Sequence, residues 1–133
     1  MSPRDSFHPP DPRFPSGPWI GFYRQGRLQS RQRLTLTFTD NHIRGFGTDP
    51  VGSFTISGSI DPSSGQTSWV KTYTTHIVNY SGLAIEGDGI RGNWSLTTQR
   101  NLNTDTGAFQ IWPDELAMEL ARASQNQQPA FTS

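Results

Sequence analysis

The stretch GDGIRGNWSL contains the spacing G-x-G-x-x-G at Gly87, Gly89 and Gly92. In dinucleotide-binding folds this spacing joins a strand to a helix, and the helix N-terminus holds the pyrophosphate. Here the residues that follow, Ile90–Thr97, alternate between apolar and polar, which is the period of a β-strand. Because the helix is missing, the motif does not indicate a nucleotide site. We predict a hairpin turn at Gly87 and Gly89, and a strand that curves at Gly92.

A second group of residues that could do chemistry lies in QTSWVKTYTTHIVNYSG, which predicts either two strands joined at Thr74 and Thr75 or one long bent strand. A two-residue turn there would pair Tyr73 with His76, Lys71 with Val78, and Trp69 with Tyr80. One sheet face would then carry the chain's only lysine, a histidine and three large aromatic side chains.

Three interpretations of this face stay open. Facing inward, it would line a pocket with a few convergent polar groups, as ligand sites do. Facing outward, it would form an aromatic patch for protein or sugar contact. Otherwise it is a polar core whose ammonium and hydroxyl groups find partners. The candidate ligand-binding residues, with one tryptophan added from a later strand, are Trp69, Lys71, Tyr73, His76, Tyr80 and Trp94.

No catalytic or metal-binding set can be identified in the sequence. The chain has no cysteine, and its three histidines (positions 8, 42 and 76) lack metal-ligand spacing. Glu86 and Asp88 flank a predicted turn, and no serine lies in a strand-to-helix elbow. We therefore expect a protein that is not an enzyme and that has neither a metal nor a cofactor.

The rest of the sequence predicts short strands with turns between them. Leu34, Leu36 and Phe38, for example, alternate with polar residues, and Asp61–Gly65 is a typical turn sequence. Since short turns join antiparallel neighbours, the pattern predicts an antiparallel meander of eight to ten strands. Glycines inside strands favour sharp coiling. The predicted fold is all-β, a meander closed into a small up-and-down barrel, followed by one short C-terminal helix.

The same alternation predicts the position of Trp94. It lies on the face of Ile90 and Leu96, which must point inward. Gly92, two residues earlier, would leave room for the indole.

The domain boundaries follow from composition. Residues 1–18 contain six prolines and predict a flexible arm. Residues 19–124 form the barrel domain, with its helix over 113–124, and residues 125–133 form a flexible tail.

Charge and hydropathy restrict the partners. The formal net charge is zero, so nucleic acid is an unlikely partner, and no apolar run is long enough to cross a membrane. The N-terminus lacks the pattern of a secretory signal, so we expect a soluble, cytoplasmic protein. Five arginines, at 24, 27, 31, 33 and 44, form either an anion-binding face or a solvated one.

Two segments, GPWIGFY and GSFTISGSIDPSSG, resemble the barrels of the lipocalin and avidin group. Those barrels open with a Gly-x-Trp strand, as Gly17–Trp19 does here. The resemblance implies an up-and-down barrel that holds a small ligand. We therefore expect a non-enzymatic β-barrel that binds a small hydrophobic or amphipathic molecule. The alternative is a protein-interaction module that uses the proline-rich arm or the arginine-rich outer face.

Overall fold

The computed structural model describes residues 11–97 and 104–127, and the predicted fold is confirmed. Eight antiparallel strands follow one another around a closed barrel, in which the first strand pairs with the last. A single helix follows them. The elements are β1 (Gly17–Gln25), β2 (Leu28–Thr39), β3 (His42–Asp49), β4 (Gly52–Asp61), β5 (Gln66–Tyr73), β6 (Ile77–Ile85), β7 (Gly89–Thr97), β8 (Thr104–Pro113) and α1 (Glu115–Gln127).

Alternation determines which side chains enter the barrel. On β2, Gln32, Leu34 and Leu36 are buried, whereas the residues between them are exposed. The glycine-rich motif forms the β6–β7 hairpin turn, as predicted. Gly87 and Gly89 have φ angles of 84° and 80°, which side chains other than glycine rarely tolerate.

The N-terminal segment closes one end of the barrel. Phe14 is buried there and lies 5.4 Å from the ring of Phe38, which in turn contacts Trp19. The indole of Trp19 donates a 2.8 Å hydrogen bond to the carbonyl of Pro15. Residues 11–16 of the predicted arm therefore lie against the domain. Residues 1–10 and 128–133, which carry most of the predicted arm and tail, lie outside the described residues.

The helix begins later and ends later than the sequence suggested. Pro113 still pairs with Trp19, so it belongs to β8, and the helix starts after Asp114. The Asp114 carboxylate accepts a 3.1 Å hydrogen bond from the backbone N–H of Ala117, which is the bond that an N-cap residue makes. No helix among residues 11–97 and 104–127 is long and apolar enough to span a bilayer.

Trp94 points into the barrel, as predicted, but the glycine that makes room for it is a different one. Its indole N–H donates a 2.9 Å hydrogen bond to the carbonyl of Arg24. A Cβ atom on Gly107, which is the cross-strand neighbour of Trp94, would lie 2.6 Å from the indole nitrogen. Gly92 instead lies against the backbone of Ser81 and Gly82. The prediction that Gly92 makes room for the indole was wrong, because the space comes from Gly107 on the neighbouring strand β8.

We expect Trp94→Ala to lower the free energy of unfolding by about 3–5 kcal/mol, since it removes a buried aromatic side chain and leaves a cavity. Gly107→Ala should also be strongly destabilising, because the new methyl group meets both the indole and the Arg24 carbonyl. Denaturant titration measures both variants. Asn93→Ala, at an exposed neighbouring position, is the control and should change little. A Trp94→Ala variant as stable as wild type would contradict this packing.

Candidate functional site

The predicted pairing of β5 with β6 is confirmed. Lys71 lies opposite Val78 and Trp69 opposite Tyr80, while the backbone N–H of Tyr73 donates to the carbonyl of His76. The face points inward, and five of the six candidate residues are buried: Trp69, Lys71, Tyr73, Tyr80 and Trp94.

The aromatic members of this set lie on three neighbouring strands, β5, β6 and β7. Tyr80 lies opposite both Trp69 and Trp94, and its ring is parallel to that of Trp69 at 5.3 Å. Phe109 packs edge-on against Trp69 and Tyr80. The structure therefore brings the five buried candidates together in one buried cluster, in which Trp69, Tyr80 and Phe109 pack ring against ring.

His76 is the one candidate outside this cluster. It is half-buried at the β5–β6 turn, and its ring stacks on Tyr73 at 4.7 Å. Its Nδ1 atom lies 2.9 Å from the hydroxyl of Thr75. His76 thus covers one side of Tyr73 at the end of the barrel.

Lys71 has no solvent exposure, and three polar groups surround its ammonium. It forms a 2.7 Å ion pair with Asp49, and it donates hydrogen bonds to Gln32 (3.1 Å) and to the hydroxyl of Tyr80 (3.3 Å). An ammonium has three protons to donate, so these partners satisfy it completely. Aromatic rings complete the shell: Nζ lies 4.2 Å from the centre of the Phe54 ring and 4.8 Å from that of Tyr23.

Both carboxylate oxygens of Asp49 also accept hydrogen bonds. One carboxylate oxygen accepts the N–H groups of Val51 and Gly52 in the β3–β4 turn. The other oxygen accepts from Lys71 and from the hydroxyl of Tyr73. We call Gln32, Asp49, Lys71, Tyr73 and Tyr80 the lysine network.

Burial changes the ionisation of this network. Desolvation lowers the pKa of Lys71, and the hydrogen bond and charge of Asp49 oppose that change. Desolvation raises the pKa of Tyr73, and the bond to Asp49 raises it further. Desolvation also raises the pKa of Tyr80, and that of the half-buried Tyr23. The network therefore consists of neutral phenols around one ion pair.

The residues predicted from the sequence did not include Gln32, Asp49 or Tyr23. A signal existed for Gln32, because it alternates with Leu34 and Leu36 and must point inward. No comparable signal existed for Asp49, since the sequence TDPVG is typical of a solvated turn.

A second feature lies on the outer wall, where a groove of about 790 Å³ crosses five strands. The register aligns one inward-pointing residue from each of these strands, so their backbone forms the floor. These residues are Trp19, Leu34, Gly47, Phe54 and Tyr73. The groove is deep at Gly47 because this residue has no side chain on the inner face of the barrel. A Cβ atom there would lie 2.7 Å from the Phe54 ring. Without that atom, the β3 backbone lies directly against the core.

Outward-pointing side chains form the two walls of this outer groove. One wall contains Pro18, Thr35, Phe46, Thr55 and Thr72, and the other contains Ile20, Arg33, Thr48, Ser53 and Thr74. Asp114 and Ala117, at the start of α1, close one end. Phe46 is 60% exposed, an unusual exposure for so large an apolar side chain.

No protein-family model, no curated protein and no solved structure matches the chain. The eight-stranded antiparallel barrel is compatible with a calycin-like fold. Membership of the lipocalin and avidin group stays a prediction.

We expect Asp49→Asn to lower the free energy of unfolding by about 3–5 kcal/mol, because it leaves a buried ammonium without a counter-charge. The substitution retains a carbonyl oxygen for the turn N–H groups, so the loss reports on the second oxygen, which pairs with Lys71 and accepts the hydrogen bond of Tyr73. Lys71→Met introduced into Asp49→Asn should recover part of the stability. Chemical denaturation of the four proteins in this cycle measures both effects. A double variant less stable than Asp49→Asn would contradict the assignment.

The three tyrosines of the chain predict a steep loss of stability at high pH. Each has a raised pKa in the folded protein, whereas in the unfolded chain tyrosine ionises near pH 10. Above about pH 10 the unfolded state therefore loses protons first, and the free energy of unfolding falls. The pKa of Lys71 is lowered in the folded protein, so this residue makes the free energy of unfolding rise with pH. That effect is confined to pH values below about 10.5, where the unfolded chain still holds the lysine proton.

A spectrophotometric titration checks this, with near-ultraviolet circular dichroism as the measure of folding. Tyrosinate absorbance should appear together with unfolding. Tyr80→Phe should reduce the dependence of stability on pH. Ionisation of all three phenols near pH 10 in a folded protein would refute the burial described above.

Proposed function

We propose that the protein is a non-enzymatic β-barrel that binds a small amphipathic molecule, and that the outer groove is its binding site. The observation that carries the proposal is the groove itself, a ligand-sized concavity with mixed apolar and hydroxyl-bearing walls. The resemblance to lipocalin and avidin barrels, which hold small ligands, is consistent with this class of function.

The composition of the walls indicates the kind of molecule. Phe46, Pro18 and Ile20 offer apolar surface, and five threonines offer both methyl groups and hydroxyls. An elongated ligand lying across the strands would bury its apolar side against Phe46 and leave polar groups near the hydroxyls. Burying the exposed ring of Phe46 would also contribute favourably to binding.

The six residues predicted from the sequence remain a second candidate lining. Entry of a ligand among Trp69, Lys71 and Tyr80 would have to displace side chains that contact one another and break satisfied hydrogen bonds. The outer groove requires no such displacement. For this reason we propose that the site lies on the outer surface of the barrel, and that the interior residues support the strands that form it.

Two fluorescent probes test the function. 8-Anilinonaphthalene-1-sulfonate is an anionic amphiphile, and N-phenyl-1-naphthylamine is its uncharged counterpart. Wild-type protein with a native near-ultraviolet spectrum should bind at least one of them. Phe46→Ala should weaken that binding about tenfold, because it removes the main apolar contact.

The matched control is Leu83→Ala, which truncates an exposed apolar side chain outside the outer groove and should bind like wild type. The interior control is Trp69→Phe. If Trp69→Phe weakens binding and Phe46→Ala does not, the site lies inside the barrel and the outer groove is wrong. If neither probe binds, the proposed function is wrong.

A further inference from the structure

The outer surface of the first three strands carries positive charge and no acidic side chain of its own. The outward positions of β1, β2 and β3 include Arg24, Arg31, Arg33 and Arg44 and no aspartate or glutamate. Asp49, at the end of β3, belongs to the buried lysine network. The clustering that the sequence suggested is therefore a property of one face of the barrel.

Three of these arginines, Arg31, Arg33 and Arg44, have side chains with no ion-pair or hydrogen-bond partner among the described residues, and two of the three lie beside the outer groove. Within residues 11–97 and 104–127, neither Arg31 nor Arg33 forms an ion pair or donates a side-chain hydrogen bond; the two ion pairs found there are Arg13–Asp11 and Lys71–Asp49. Arg24 differs, since it donates to Gln29 and lies over the ring of Phe22.

Arg33 and Arg31 lie beside the apolar surface of the outer groove. Arg33 stands in one wall, next to Ile20. Arg31 lines an adjoining concavity of about 310 Å³ that Ile20, Phe22 and Trp112 also line. The two arginines are two residues apart on the same face of β2, roughly 7 Å along the strand. Ile20 lines both the outer groove and the adjoining concavity, so the guanidinium groups of Arg31 and Arg33 flank one continuous surface.

Among the residues that the structure describes, Asp114 is the one acidic residue that lines the groove, and it forms no ion pair with Arg31 or Arg33. Asp114 lies at the end closed by α1, and its carboxylate caps that helix. The groove thus has a cationic group, Arg33, in one wall and the apolar surface of Phe46 in the other, while the Asp114 carboxylate lies at the β1 end. This arrangement complements a molecule that has one anionic end.

We propose that the ligand of the outer groove is a free anionic amphiphile, whose oxyanion head binds Arg33 and Arg31 and whose apolar part lies against Phe46. The inference rests on the proposed function and specifies its ligand class. Guanidinium groups suit this role because they donate paired hydrogen bonds to carboxylate, sulfonate or phosphate oxygens and keep their charge at any physiological pH.

The same pair of probes tests the charge separately from the apolar contact. Anilinonaphthalene sulfonate should bind more tightly than phenylnaphthylamine, and added salt should weaken only the sulfonate. Arg33→Gln should weaken sulfonate binding about fivefold, the effect of losing one exposed charge pair, and leave the neutral probe unchanged. Arg44→Gln is the matched control, since Arg44 is on the same outer face but does not line the groove, and it should affect neither probe.

The outcomes separate the two proposals. If both probes bind through Phe46 but Arg33→Gln leaves both affinities unchanged, the anionic ligand class is wrong and the binding function stands. If neither probe binds, both proposals fail. Co-sedimentation with phosphatidylglycerol vesicles that depends on Arg33 would overturn the assignment to a free molecule, because the head group would then belong to a membrane.

Discussion

The ion pair between Lys71 and Asp49 is the interaction on which the interior of this barrel depends. A buried ammonium is strongly unfavourable unless it is paired and hydrogen-bonded, and here every proton has an acceptor. The acceptors come from three different strands, β2, β3 and β6. A shift in the register of any of these strands would move a partner to the outer face and leave the charge unpaired. The network therefore selects one register for much of the barrel.

A barrel organised in this way has consequences for its outer surface. Aromatic rings and the lysine network occupy the interior faces of β5 and β6. Glycines on inward positions let neighbouring strands approach closely, and at Gly47 the wall lies directly on the Phe54 ring. The outer groove forms above that contact. The packing inside and the proposed binding site outside are thus two effects of the same backbone geometry.

The strands, and the register of β5 with β6, could be predicted from the sequence because they follow local rules. Alternation identified the strands, and the turn at Thr74 and Thr75 placed Trp69 opposite Tyr80. The partner of Lys71 could not be predicted, because Asp49 lies in a segment whose sequence is typical of a turn. Asp49 reaches the lysine only when the barrel closes. The role of Gly107 could not be predicted for a related reason, since its contact with Trp94 is made between two neighbouring strands. The outer groove depends on how five strands curve together, and no single segment encodes that.

The measurement that tests the account most directly is a nuclear magnetic resonance titration of ¹⁵N-labelled protein with anilinonaphthalene sulfonate. Lys71 is the only lysine, so its side-chain nitrogen gives one assignable signal from the centre of the network. We expect the probe to shift the backbone amides of Arg33, Gly47 and Thr55, which line the outer groove, and to leave the Lys71 side-chain signal in place. A shift of the Lys71 signal together with the indole signals of Trp69 and Trp94, while the groove amides stay unchanged, would contradict a filled interior and an external site.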